Sequence, residues 1–177
     1  MPTHCAACDR SYRGNPRPGL TIYETSGHIR PEIQEILRLV AEAGVILGTA
    51  HLAPAEIVDL LRAGREARVG KFLITHPEID FLNLSLAFQR EIAAPNVYFE
   101  RCFARMGFAL DWDGIARSIR DIGVGSTVLA TDLGQPANPY PVSGLSEMRS
   151  ELEARGFSED ELDVMSSRNP SVLLGFE

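Results

Sequence analysis

The sequence lacks the two features that would point to a nucleic-acid or a membrane partner. Its 17 lysines and arginines are outnumbered by 24 aspartates and glutamates, which gives a formal net charge of -7. A surface that binds nucleic acid or anionic lipid in general needs the opposite balance. The apolar residues fall in short runs, and none approaches the roughly 18 residues of a membrane-spanning helix. The sequence therefore predicts no nucleic-acid partner and no membrane segment.

Cysteine is too scarce for a disulfide framework. The three cysteines, Cys5, Cys8 and Cys102, make an odd count, and a chain of 177 residues can bury a core without disulfides. The N-terminus also lacks the basic and then apolar pattern of a secretory signal. A reducing, cytoplasmic setting is the simplest interpretation. Because no second pair of cysteines exists to complete a zinc site with Cys5 and Cys8, we expect a surface loop there.

The first thirty residues show little regular patterning. Residues 1–19 contain several prolines and glycines and predict neither a helix nor a core strand. Residues 20–30 predict a small hairpin in which Gly27 supplies a positive φ. Pro31 is typical of the first turn of a helix, and Gly44 is typical of its end. We expect one domain over residues 1–177, with its regular part at residues 31–177.

From residue 31 onward the sequence alternates strand-like and helix-like segments. Short apolar runs typical of buried parallel strands occupy residues 45–50, 71–75, 97–102 and 127–131. Apolar residues at helical spacing follow each run, and a final turn is expected to direct its own apolar side chains to the core. The helical sets are Ile57, Val58, Leu60 and Leu61; Leu82, Leu86, Phe88 and Ile92; Ile115, Ile119 and Ile122; Leu145, Met148 and Leu152; Leu162, Val164 and Met165; and the final turn carries Val172, Leu173 and Leu174. The pattern predicts an α/β fold of parallel βα repeats.

Three of the four strand-like runs end at a side chain that can bind a metal ion. His51 follows the first run, His76 follows the second, and Asp132 follows the fourth. Because the carboxyl ends of parallel strands meet at one edge of a sheet, we expect the three side chains to share one site. Imidazole and carboxylate suit Zn²⁺, and also Mn²⁺ or Fe²⁺. Such an ion lowers the pKa of a bound water to about 7.

Other polar residues are expected at the same edge. Glu78 follows the second histidine closely, and Glu100 and Arg101 lie near the end of the third run. We expect Glu100 to orient a ligand histidine and Arg101 to hold a substrate anion. The alternative is purely structural: His51 then completes a connection between a strand and a helix, and Asp132 caps a turn.

The order of these strand ends, together with residues 168–175 (Arg-Asn-Pro-Ser-Val-Leu-Leu-Gly), resembles the amidohydrolase superfamily. More narrowly, residues 19–24, 48–54, 75–78 and 131–139 resemble an uncharacterised family of unknown function within it. The resemblance implies a metal-dependent (β/α)8 barrel, of which this chain supplies the C-terminal half, about strands five to eight. It also implies that His51, His76 and Asp132 bind the metal and that Asp132 is the general base.

The resemblance further implies a hydrolase in which metal-bound hydroxide attacks a C–N or C–O carbonyl bond of a small-molecule substrate. Residues 135–143 would lie over the site, where Tyr140 could contact substrate. The first strand of the superfamily ends in a His-x-His motif that this sequence lacks, and His4 is not expected to replace it. The alternative is a non-catalytic, truncated half-barrel or assembly subunit. Four strands cannot close an eight-stranded barrel, so a homo-oligomer could cover the open half.

Overall fold

A parallel sheet organises the fold. The computed structural model describes residues 1–103 and 111–176. Within them, the sheet contains β1 (Leu47–Gly48), β2 (Phe72–Thr75), β3 (Val97–Cys102) and β4 (Thr127–Ala130). The strands lie side by side in the order of the sequence, and every pair is parallel. The predicted α/β fold with parallel repeats is confirmed.

Helices precede, connect and follow the strands. They are α1 (Ala7–Tyr12), α2 (Pro31–Ala43), α3 (Pro54–Glu66), α4 (Leu86–Ile92), α5 (Trp112–Ile122), α6 (Pro141–Glu153), α7 (Glu159–Asp163) and α8 (Asn169–Leu174). A 3-10 turn at Val124–Ser126 precedes β4, and a π-helical turn at Val164–Arg168 links α7 to α8. Of the helices in the described ranges, none is long and apolar enough to cross a membrane.

The boundaries of α2 follow directly from its sequence. Pro31 occupies the first turn, where its missing N–H would have had no partner inside the helix. Gly44 ends the helix in the left-handed conformation, with φ at 63°. Leu37 is the buried residue of this helix and packs into the main core.

The two faces of the sheet differ in burial. In β2 and β3 the buried residues Phe72, Ile74, Val97 and Phe99 alternate with half-buried ones. The buried residues join side chains of α3 and α4 in the main apolar core. A second apolar cluster involves α5, α6 and the segment from α7 to the π-helical turn. The opposite face of β2 and β3 stays half-buried, whereas β4 is buried on both faces. Because the strand order never reverses, crossovers of one hand place the connecting helices on one side only.

The N-terminal segment differs from its prediction. Residues 1–19 were expected to be irregular, but α1 lies inside them. A six-residue helix has almost no stability of its own, and this one is held by distant contacts. Ala7 N donates to Leu20 O at 2.8 Å, and Leu20 N donates to Cys5 O at 2.6 Å. The predicted hairpin is reduced to one antiparallel bridge between Tyr23 and Ile29, with Gly27 at φ 84° as expected.

Two further predictions about elements are wrong. Leu82 is not part of a helix: it lies in a turn, and α4 begins only after Ser85, whose hydroxyl accepts a hydrogen bond from Phe88 N. The final turn is the helix α8, and only Leu173 of its three apolar residues is buried. Val172 and Leu174 are exposed, because a single helical turn cannot direct three successive side chains to one core.

Candidate metal centre

The carboxyl ends of β1 and β2 bring two imidazoles into contact. His51 and His76 follow these strands, and their ring centroids lie 4.9 Å apart. Both residues are buried, with exposed fractions of 7% and 5%. The structure therefore places the two histidines side by side at one edge of the sheet.

Residues that follow three of the strands at this edge have positive φ values, in the left-handed region of backbone conformation. Ala50 after β1, His76 after β2 and Asp132 after β4 have φ values of 50°, 32° and 50°. Few residues other than glycine adopt a positive φ, and such strain is often found at functional sites. The sharp turn after each strand places the next side chains at the edge of the sheet.

The N-terminal segment adds a carboxylate and a third imidazole. Asp9 Oδ2 lies 3.2 Å from His4 Nδ1, and Asp9 Oδ1 lies 3.7 Å from His51 Nδ1. One ligand atom from each of these residues lies within 4.8 Å of the other two, a spacing that fits a metal ion. The segment is aligned with β1 by a hydrogen bond from His51 N to Pro2 O at 3.2 Å.

The protonation states favour metal binding. Burial alone would raise the pKa of Asp9, but hydrogen bonds from Arg13 and His4 outweigh it and hold the pKa below its usual value. Burial, helped by the nearby His76, lowers the pKa of His51 to about 4. Burial also lowers the pKa of His76. At neutral pH His51 and His76 are therefore neutral and Asp9 is ionised, the forms that coordinate metals.

Two buried nitrogens at this edge lack hydrogen-bond partners. Neither His51 Nδ1 nor His76 Nδ1 has one among the residues that the structure describes. The 3.7 Å from His51 Nδ1 to Asp9 is too long for a hydrogen bond. Buried polar atoms in proteins are nearly always satisfied. A ligand that accepts a nitrogen lone pair would account for both atoms.

Asp132 occupies the other end of the same edge. Its charge acts on His76, where it opposes the effect of burial on the pKa. It also acts on Glu100, whose pKa burial and Asp132 together raise to about 6. The compact group of His4, Asp9 and His51 includes neither His76 nor Asp132. The structure thus brings the predicted ligands to one edge, with His51 nearest to the carboxylate of α1.

Arg101 and Glu78 form a buried ion pair. Arg101 is completely buried, and its Nη1 donates to Glu78 Oε1 and, at 2.8 Å, to Gln89 Oε1. Its guanidinium lies 5.3 Å from the centre of the Phe99 ring, on the helix-covered face of β3. Glu100 alternates with Arg101 along the strand and belongs to the half-buried face. The expected roles of Arg101 toward a substrate anion and of Glu100 toward a ligand histidine stay predictions.

Sequence reasoning missed three residues at this edge. His4 was not expected to act as a ligand, yet its Nδ1 lies 3.2 Å from Asp9 Oδ2 in the compact group. Asp9 lies in α1, where no helix was expected, and the local hint was its spacing from Arg13, one helical turn away. Phe81 lies in the connection between β2 and α4, and its ring centroid is 4.8 Å from that of His51. No periodic pattern marks Phe81, because it belongs to an irregular connection.

Comparison with known sequences identifies one family. The family of unknown function called DUF6282 matches residues 1–100, more than half of the chain. The chain belongs to this family. The matched residues include the compact group of His4, Asp9 and His51, and also His76. No curated protein matches the sequence.

Proposed function

We propose that this chain is a metal-dependent hydrolase that cleaves a C–N or C–O bond at a carbonyl carbon of a small molecule. One observation carries the proposal. Ligand atoms of His4, Asp9 and His51 lie within 4.8 Å of one another, beside a second buried imidazole, that of His76. The resemblance to the amidohydrolase superfamily supports the reaction class.

The donor set fits a divalent ion. Imidazole and carboxylate are ligands for Zn²⁺, Mn²⁺ and Fe²⁺, and three protein ligands are typical of a catalytic zinc site. Asp9 is fully buried, whereas the side chain of His4 is 73% exposed, so the group is open to solvent on one side. When bound, the ion would supply a water with a pKa of about 7, a nucleophile available at neutral pH.

Proton transfer is assigned to Asp132. Its carboxylate follows β4 at the same edge and acts electrostatically on His76 and Glu100. In the proposed reaction Asp132 accepts the proton of the attacking water and delivers it to the leaving group. Burial lowers the pKa of His51 and of His76, so both imidazoles are neutral near pH 7, the form in which a histidine nitrogen can bind a metal ion.

We further propose that the sheet is one half of a (β/α)8-type barrel. The parallel order without reversal supports this, because barrel strands follow the same order. The half-buried face, which includes Tyr98 and Glu100, would then face the barrel interior. A second copy of the chain could cover it, and a monomeric mass at working concentration would exclude that arrangement.

The three cysteines form no disulfide, which supports a cytoplasmic location.

Metal analysis tests the proposal and distinguishes two ligand sets. Protein purified without chelator is analysed for zinc, manganese and iron. If the group around α1 holds the ion, Asp9→Asn should remove it and Asp132→Asn should not. If the set predicted from sequence holds it, the result for these two variants should be reversed. His51→Ala should lose the metal in either case, and His28→Ala, at an exposed histidine, is the matched control.

The same experiment addresses the alternative function. A wild-type protein that takes up no metal, even after supplementation, would contradict the hydrolase. It would favour the non-catalytic half-barrel or assembly subunit. If the wild-type protein binds metal stoichiometrically and His51→Ala binds none, a screen of amides, esters and lactones is justified.

A further inference from the structure

We propose that Phe81 and Tyr12 form an aromatic wall that binds a flat apolar group of the substrate, next to the carbonyl that is cleaved. The proposal rests on the function proposed above, because it places the reacting carbonyl beside His51. It adds a substrate class: carbonyl compounds that carry an aromatic ring.

Phe81 lies directly against the imidazoles. Its ring centroid is 4.8 Å from that of His51 and 5.9 Å from that of His76. Hydrogen bonds from Ile79 N to His76 O and from Leu84 N to Pro77 O, at 3.0 and 2.8 Å, fold this connection back toward the end of β2. The ring is therefore held by a tight, hydrogen-bonded turn, as a preformed binding surface requires.

Tyr12 extends the wall toward solvent. It follows Asp9 by three residues on α1, so the two side chains lie on the same side of the helix. Its ring centroid is 5.9 Å from that of Phe81, and the residue is 52% exposed. The aromatic surface thus leads from buried His51 through half-buried Phe81 to exposed Tyr12.

Phe81 also packs against the main core, but the exposure of Tyr12 distinguishes the outer part of the wall from core packing. An aromatic ring that only fills the core would be buried, yet half of Tyr12 faces solvent beside an open metal-ligand group. Aromatic rings attract other flat rings at centroid distances of about 4.5–7 Å. A ring on the substrate would find two such partners here.

Two hydroxamates test the wall on the zinc-loaded chain of 177 residues. Acetohydroxamate and benzohydroxamate chelate zinc through the same atoms and differ in a methyl against a phenyl group. We expect wild type to bind benzohydroxamate about tenfold more tightly by isothermal titration calorimetry, the size of one added ring contact. Tyr12→Ala should reduce this preference severalfold and leave acetohydroxamate affinity unchanged. Phe81→Leu should also reduce the preference, and Tyr12→Phe should retain it.

The outcomes separate the wall from the metal site. Zinc binding with equal affinity for both hydroxamates would overturn the wall and leave the hydrolase proposal intact. Absence of zinc and of hydroxamate binding would overturn both. Because Tyr12 is exposed, Tyr12→Ala should stay folded, and its hydroxamate affinities test the wall even if Phe81→Leu unfolds. Loss of the preference in Tyr140→Ala, but not in Tyr12→Ala, would assign the contact to residues 135–143 and also overturn the proposal.

Discussion

Acid should destabilise the metal-free protein through His51. The pKa of a histidine is ordinarily 6.5, and burial with the nearby His76 lowers that of folded His51 to about 4. Between these two values the unfolded chain binds a proton at His51 that the folded chain does not. The stability that neutral His51 contributes is therefore full above pH 6.5 and is lost as the pH falls toward 4.

The expected size follows from the shift. A pKa lowered from 6.5 to about 4 corresponds to about 3 kcal/mol of unfolding free energy. That is a large part of the roughly 5–15 kcal/mol that stabilises a domain. Glu100 acts in the opposite direction. Its pKa is raised from 4.5 to about 6, so its protonation as the pH falls through this range returns about 2 kcal/mol.

A comparison of variants removes the contribution of Glu100. Urea unfolding in the presence of chelator is measured at about pH 7 and about pH 4 for wild type and His51→Gln. Between these conditions wild type should lose about 3 kcal/mol more than the variant. His28→Gln, at an exposed histidine, should follow wild type. Parallel losses in wild type and His51→Gln would refute the reasoning.

Two further predictions concern the close approach of Gly19 to α1 and the buried ion pair between Arg101 and Glu78. A Cβ added at Gly19 would lie 2.3 Å from Ala7 Cα, a backbone atom that cannot rotate away. Gly19→Ala should therefore displace α1 and weaken zinc binding by about tenfold or more in a titration. Gly70→Ala, where the added atom meets no described atom within 4 Å, should leave it unchanged. Removing either member of the Arg101–Glu78 pair should cost about 3–5 kcal/mol in urea unfolding. Glu78→Ala should cost more than Arg101→Met, because it leaves a fully buried cation, whereas the Glu78 side chain is 23% exposed; equal costs would contradict this.

The sequence alone was enough to determine the repeating architecture. Short apolar runs and helical spacing are local signals, and they predicted the four parallel strands and the limits of α2 at Pro31 and Gly44. The placement of His51 and His76 at one edge followed from the same pattern, because parallel strands end together. The positions of the strands in the sequence were enough to predict this placement of the two histidines.

Only the tertiary structure decided which groups surround His51. Asp9 reaches it because α1, too short to be stable alone, is held by backbone hydrogen bonds to Leu20. Phe81 reaches it through an irregular turn after β2. Arg101 lies in a buried ion pair on the helix-covered face because of the alternation of β3. Periodicity records which side of an element is buried, whereas contacts between distant segments depend on how the whole chain packs.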